Sequence, residues 1–327
     1  MKKVCLNIVC LGAGNHAFRN TLPVLLTLKN FKLVGIYVRK LKKNLDNLKK
    51  FNCKISNDIN KILNIKKFNA VYIASQPSSH YSLAKKALLL NKHVIIEKPA
   101  VTNQIQAKKL HSIANKKKLV IMEAFMYKYH NQFSSILKIL KKNKDKKLVE
   151  ICSTFGFPHL DKSNFRYNSK AGGGALLDAG SYTISSIRNL SKEKIKLDHA
   201  RLYRSNFNVD IKGFAEFSSL NGSKYRANWY FGDKYKNQIL LKYENITIII
   251  HRAFSKPNNL LTSIDFYKKN KLIKSQKIKK DDHFKNMFNY FHKCCLSKDL
   301  RLNENLEFLH QANTLHRIFL KDKKLKS

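Results

Sequence analysis

"IVCLGAGNHAF", residues 8–18, decides how the first third of the chain is read. An apolar run ends in Leu11 and meets Gly12-Ala13-Gly14-Asn15-His16-Ala17, a G-x-G-x-x-A spacing, and a helical pattern follows. Strand, glycine turn and helix in that order are the context that gives the spacing meaning. Gly12 permits the tight turn, Gly14 lets backbone approach a pyrophosphate, and Ala17 allows close helix–strand packing. The helix start offers free N–H groups and a positive dipole end to an anion. Gly12, Gly14, Asn15 and His16 are therefore expected to meet a dinucleotide.

The second strand, "KLVGIYV" (32–38), ends in Arg39 and Lys40. NAD-binding chains usually place an acid there to hold the ribose 2′-hydroxyl. A 2′-phosphate would favour the two cations instead, and Arg39 can also stack on adenine. The reading favours NADP(H) over NAD(H).

Working outward, a Lys-rich helix is expected around 41–50, a short helix at "DINKIL" and a strand at "AVYIA" (70–74). A helix over "SSHYSLAKKALLL", a strand "HVIIE" (93–97), a helix over 103–117 and a strand "LVIME" (119–123) follow. Strands alternating with helices across short connections predict a doubly wound parallel sheet. After residue 123 the rhythm changes. A helix near 131–142 and a strand near 148–157 precede a run of strands over about 196–276, and two helices close the chain near 281–296 and 304–321. Such a run predicts a mostly antiparallel or mixed sheet. The division expected is 1–123 for the nucleotide-binding domain and 124–327 for a second domain, with the last helices free to return to the first.

The chain has 327 residues, 43% of them hydrophobic, enough for two cores and against a disordered polymer. Its 64 Lys and Arg against 21 Asp and Glu give a formal charge of +43. Two readings stand: a polyanion-binding surface, or lysine enrichment by compositional drift. The lysines are spread over the whole chain, whereas a nucleic-acid footprint is a patch, so drift is preferred and no specific nucleic-acid partner is expected. The six cysteines include no C-x-x-C pair, so no metal site and no disulfide framework is expected. Reduced thiols suit a cytoplasmic protein. The apolar start runs straight into glycines without a cleavage site, and no stretch approaches 18 apolar residues, so neither a signal peptide nor a membrane span is expected.

Five stretches occur in an order that resembles one oxidoreductase family: G-x-G-N-H-A at 12–17, "ASQPSSHYSLAKKAL" at 74–88, "KHVIIEKPA" at 92–100, "MEAFMYKYHNQF" at 122–133 and "GGGALLDAGSYTI" at 172–184. The family is that of glucose-fructose oxidoreductase, inositol dehydrogenase and the rhizopine-catabolism oxidoreductases. The resemblance implies a Rossmann domain followed by an α/β domain with a large open sheet, whose exposed face often forms the oligomer interface, so a homodimer or homotetramer is expected. It implies that Lys98 is the active-site lysine beside the nicotinamide, and that Asp178 and Tyr182 are the paired residues of the second domain. It adds Ser75, Pro77, His80 and Glu97 to the cofactor contacts. Tyr182 stands where inositol-dehydrogenase-like members have His, as in the branch resembling dihydrodiol dehydrogenases and sugar-nucleotide ketoreductases. Lys128 and His130-Asn131 stand where the family commonly has Arg and a His-Pro pair, and Lys128, His130 and Arg166 are expected to meet substrate. "HRAFSKP" (251–257) is expected to line the same cleft, and Trp229 to serve core or interface.

The expected chemistry is hydride exchange between nicotinamide and a secondary alcohol or carbonyl of a sugar or sugar derivative. Asp178 and Tyr182, four apart, share one helix face. The phenol of Tyr182 is the proton partner, and a neighbouring ammonium, Lys98, would favour its ionised form. Asp178 orients hydroxyls or Lys98, and Gly172–Gly174 let backbone pass close to cofactor or substrate. Alternatives within enzymes are a trans-dihydrodiol or xylose dehydrogenase-like activity and a sugar-nucleotide oxidoreductase. The rival outside enzymes is a cofactor-sensing or nucleic-acid-binding protein on a Rossmann scaffold.

Overall fold

The computed structural model describes residues 4–41, 48, 50–191, 193–204, 208–232 and 234–324. The helix expected around 41–50 lies almost entirely outside them. The chain divides into two compact units: residues through Phe125 together with Phe284–Ala312, and Met126–His283 together with the residues from Asn313 on.

The first unit holds six strands: β1 (Leu6–Leu11), β2 (Phe31–Tyr37), β3 (Lys54–Ser56), β4 (Ala70–Ile73), β5 (His93–Ile96) and β6 (Ile121–Glu123). They lie in the order β3-β2-β1-β4-β5-β6, and every pairing is parallel. That is the doubly wound order, with its switch point between β1 and β4, where ligands sit at the carboxyl ends of strands. The register sets Val9, Val71, Val94 and Ile121 side by side, all fully buried. Strands covered on both faces read as continuous apolar runs, as "AVYI" and "HVII" do.

Residues Ala17–Thr21 form a π turn that runs on into α1 (Leu22–Thr27), and Pro23, which has no N–H to give the preceding turn, lies just past that widened turn. The helix α2 (Ile59–Leu63) is capped by Asp58, whose side chain accepts from Asn60 N. Pro77 opens α3 (Pro77–Leu89), and Leu83, Ala84, Ala87 and Leu88 form its buried stripe. Asn103 caps α4 (Gln104–Lys116), which buries Ala107, Leu110 and Ala114 in the same core.

In the second unit, His130 caps α5 (Asn131–Lys142) by accepting from Gln132 N. A second π turn, Leu176–Gly180, leads into α6 (Ser181–Leu190). Eight strands follow the order β14-β13-β12-β11-β7-β10-β9-β8. They are β7 (Leu148–Pro158), β8 (Ile195–Arg204), β9 (Asp210–Ser219), β10 (Lys224–Gly232), β11 (Lys236–Tyr243), β12 (Thr247–His251), β13 (Thr262–Lys268) and β14 (Lys271–Ile278). Only β7 and β10 pair in parallel; the other pairings are antiparallel. Buried and half-buried residues alternate along β9 to β11, the pattern of a sheet covered on one face. The covered face meets α6 and its π turn: Ser153 Oγ lies 2.5 Å from Ser186 Oγ, and Gly180 leaves room for the buried Trp229 indole. Trp229 is thus a core residue.

Two helices close the chain, α7 (His283–Leu296) and α8 (Lys298–Lys324). In the first unit Phe288 and Phe291 pack on Phe31, and Phe288 packs edge-on to Tyr72 with ring centres 5.5 Å apart. Among the described residues no helix is long and apolar enough to cross a membrane, and no cluster of three metal-ligating side chains occurs.

Candidate active site

The first unit brings most of the expected cofactor residues to the carboxyl end of its sheet. Gly12 has φ +90°, and a Cβ there would lie 2.7 Å from the Ser75 backbone. Only glycine fits this turn, because the loop after β4 presses against the loop after β1. A Cβ placed on Gly14 would meet no atom within 4 Å, so the backbone faces outward there and a pyrophosphate can approach. This geometry fits a dinucleotide, which Gly12, Gly14, Asn15 and the start of the helical segment would hold. Arg39 and Lys40 lie exposed just past β2.

Glu97, one residue past β5, is the electrostatic centre of this edge. Its Oε1 accepts from Tyr72 Oη at 2.7 Å and lies 3.5 Å from His16 Nε2. Burial pushes its carboxyl up, but His16, Tyr72 and the adjacent Lys98 outweigh that and hold it below the usual carboxylate value. An ionised Glu97 therefore sits beside Lys98. Pro99 follows through a cis peptide bond, and the next N–H, of Ala100, donates to Glu123 Oε1 at 3.0 Å. His80, fully buried, places Nδ1 2.9 Å from Pro99 O and Nε2 2.9 Å from Ser75 O. Pro77 is buried at the start of α3.

The second unit groups Arg166, Asp178 and Tyr182 around the π turn. Arg166 Nε donates to Asp178 Oδ2 at 2.6 Å, and its guanidinium lies 4.8 Å from the Phe165 ring. Tyr182 is buried among Phe155, Tyr127 and Phe254, and its Oη donates to Met126 Sδ at 3.3 Å. Phe254 brings the segment "HRAFSKP" to the Tyr182 ring. The close approach of Gly173 and Gly174 is made by the chain itself. Gly173 abuts the Arg166 carbonyl, and a Cβ on Gly174, at φ +116°, would lie 2.6 Å from Asp210 Oδ1.

Asp210 and Met126 carry weight that the sequence did not disclose. Asp210 Oδ2 accepts from Leu176 N at 2.7 Å and from Trp229 Nε1 at 3.2 Å, which anchors the start of the π turn bearing Asp178. Burial pushes its carboxyl up to about 6 against the pull of those donors. Tyr72 and Glu123 were likewise missed. One usable signal was the scarcity of acids in this chain: Glu97, Glu123, Asp178 and Asp210 all stand at strand ends or helix starts. His130 is a buried cap whose Nδ1 accepts from Gln132 N at 3.0 Å, and Lys128 lies half-buried in a short 3₁₀ turn, Met126–Tyr129.

Residues 6–125 match the model of the glucose-fructose oxidoreductase, inositol dehydrogenase and MocA family, an oxidoreductase family with an NAD-binding Rossmann fold. The chain matches this family over 120 of its 327 residues, the span that holds the Rossmann sheet. It is a nicotinamide-dependent oxidoreductase, as its phosphate loop and Glu97-Lys98-Pro99 edge lead one to expect. A dTDP-3,4-didehydro-2,6-dideoxy-α-D-glucose 3-reductase from Saccharopolyspora spinosa is 27% identical over 248 residues, 76% of this chain and 75% of that protein. A reductase of the same name from Actinomadura kijaniata is 34% identical over 116 residues, 36% of this chain and 35% of the relative. Among solved structures, KijD10, a 3-ketoreductase from Actinomadura kijaniata in complex with NADP and TDP-benzene, superposes with a TM-score of 0.91 at 21% identity, covering 97% of this chain and 98% of that one. The two-sheet α/β fold expected for the family is the fold observed.

Proposed function

We propose that this oxidoreductase is an NADP(H)-dependent ketoreductase whose substrate is a keto-deoxysugar linked to a nucleoside diphosphate. The observation that carries the reading is the likeness to the Saccharopolyspora spinosa reductase. A match spanning 248 of 327 residues necessarily runs through positions 98, 178 and 182 of this chain. KijD10 adds support: forms with one lysine or one tyrosine replaced have also been solved, and those positions are separated by the same number of residues as Lys98 and Tyr182.

A nicotinamide cofactor held at the Gly12–Gly14 turn would supply the hydride. Tyr182 delivers the proton to the carbonyl oxygen as it becomes an alkoxide, and Lys98 supplies the positive charge that eases this transfer. The apolar rings around Tyr182 keep water from its hydroxyl. Asp178, fixed by Arg166, orients the sugar hydroxyls, while the remaining guanidinium edge favours an anionic substrate. Arg39 and Lys40 select the 2′-phosphate of NADP(H). The second unit takes the substrate and the assembly contacts, and the protein works in the cytoplasm.

The test is to offer dTDP-3,4-didehydro-2,6-dideoxy-α-D-glucose with NADPH or NADH and follow cofactor oxidation. The expected result is turnover with NADPH preferred, and a preference that shifts toward NADH in Arg39→Asp. Turnover of free aldoses with none of the nucleotide sugar would overturn the substrate assignment.

A further inference from the structure

His80 is set differently from the other residues of its edge. It sits in the first turn of α3, fully buried, with a ring nitrogen on each of two backbone carbonyls. One carbonyl belongs to Ser75, in the loop pressed against Gly12. The other belongs to Pro99, directly after Lys98. The two loops leave neighbouring strands, β4 and β5, and α3 itself begins at Pro77. Ser75 is further held by Ser79, with their hydroxyl oxygens 2.7 Å apart. On the far side of Pro99, Ala100 N is held by Glu123. A rigid ring with nitrogens on opposite edges can donate to two such acceptors when both nitrogens carry a hydrogen, the imidazolium form, which burial opposes and the two carbonyls and Glu97 favour. An amide side chain reaches only one of them.

We infer that His80 is a positioning residue that clasps the Ser75 and Pro99 carbonyls and so fixes the phosphate loop and Lys98 with respect to each other. The link to Ser75 sets the wall against which Gly12 turns, and it governs how well the cofactor is held. The link to Pro99 sets where the Lys98 side chain leaves the backbone, and it governs turnover. The second half rests on the role proposed above for Lys98; the first half does not.

Three substitutions separate the links. His80→Gln places an amide near the Nε2 position and keeps the Ser75 link. His80→Asn places one near Nδ1 and keeps the Pro99 link. His80→Phe keeps the volume and neither link. Each is measured for NADPH affinity by fluorescence titration, for kcat with dTDP-3,4-didehydro-2,6-dideoxy-α-D-glucose, and for folding by urea denaturation. The expected split is near-wild-type affinity with about tenfold lower kcat in His80→Gln, and the reverse in His80→Asn; tenfold is the size of one lost buried hydrogen bond. His80→Phe loses both, and if it fails to fold the other two still carry the test. Folded variants indistinguishable from wild type, or equal losses of affinity and kcat in Gln and Asn, overturn the clasp. Lys98→Ala with undiminished turnover overturns the role of Lys98 instead, and leaves the affinity arm of the test standing.

Discussion

Glu97 is a half-buried carboxylate and Asp210 a buried one, and their surroundings push them in opposite directions. Glu97, in the first unit, is ringed by His16, Tyr72 and Lys98, and its charge is favoured despite burial. Asp210, in the second, accepts from two neutral N–H groups, and burial outweighs them and the cross-strand Arg204 to push its carboxyl up to about 6. The first is a charge placed where a ligand is expected, at the carboxyl edge of a parallel sheet. The second is an anchor that holds a helical segment from beneath. One unit builds its edge from short motifs and tight backbone; the other hangs Asp178 and Tyr182 on partners far away in the chain.

The contrast predicts different consequences for substitutions in each unit. The largest effect is expected from Tyr182→Phe, which removes the hydroxyl and little else. Turnover falls by about 10²–10⁴-fold, the usual worth of a positioned proton donor, while NADPH affinity stays unchanged because the cofactor loop lies in the other unit. Steady-state rates beside fluorescence titrations check this, and unchanged turnover would remove Tyr182 from the chemistry. Next comes Gly12→Ala, the converse case. Its Cβ would collide with the Ser75 backbone at φ +90°, a strain of about 1–3 kcal/mol. NADPH affinity should fall by tenfold or more, with the urea-unfolding signal of the second unit unmoved.

Asp210→Ala is expected to act through structure. It leaves the N–H groups of Leu176 and Trp229 buried without an acceptor, at a cost of about 1–3 kcal/mol. Denaturation of the second unit should shift by that amount while NADPH binding holds. The smallest effect concerns Lys256, buried in the second unit with Nζ donating to Ala253 O at 3.0 Å. Burial pulls its pKa down to about 7 from 10.5, with Asp281 opposing. Between those values the unfolded chain binds more protons than the folded one, so stability rises with pH from about 7 toward 10. Lys256→Met should add about 1–2 kcal/mol at pH 7 and flatten that rise. Asp281 still receives Asn131 N in the variant. A pH series of urea melts checks both.

The same contrast explains how much could be read from the residues alone. Gly12–Ala17 and Glu97-Lys98-Pro99 state their geometry within a few residues, so the first sheet and its edge were legible. The strand β3 was not, since three residues with little apolar pattern carry no periodic signal. Nor was β14, where Lys271, Lys274 and Lys277 line an exposed edge strand and mask its pairing with β13; such charges are how edges avoid further pairing. The π turns at Ala17–Thr21 and Leu176–Gly180 each fit an extra residue into a turn, and the helical segments around them are too short for apolar periodicity to reveal the shift. The final helix begins at Lys298, earlier than its apolar stripe suggests. In the second unit, Asp178 and Tyr182 announce themselves through "GGGALLDAGSYT". Their supports Asp210, Trp229 and Met126 lie dozens of residues away, and no local pattern ties them together.

The most direct measurement uses NADPH carrying deuterium at both C4 positions of the nicotinamide, with dTDP-3,4-didehydro-2,6-dideoxy-α-D-glucose as acceptor and the product read by NMR. The account predicts deuterium on the reduced sugar carbon in the wild-type protein and almost none in Tyr182→Phe over the same time. Label absent from the sugar while NADPH is consumed, or equal labelling by the two proteins, would contradict it.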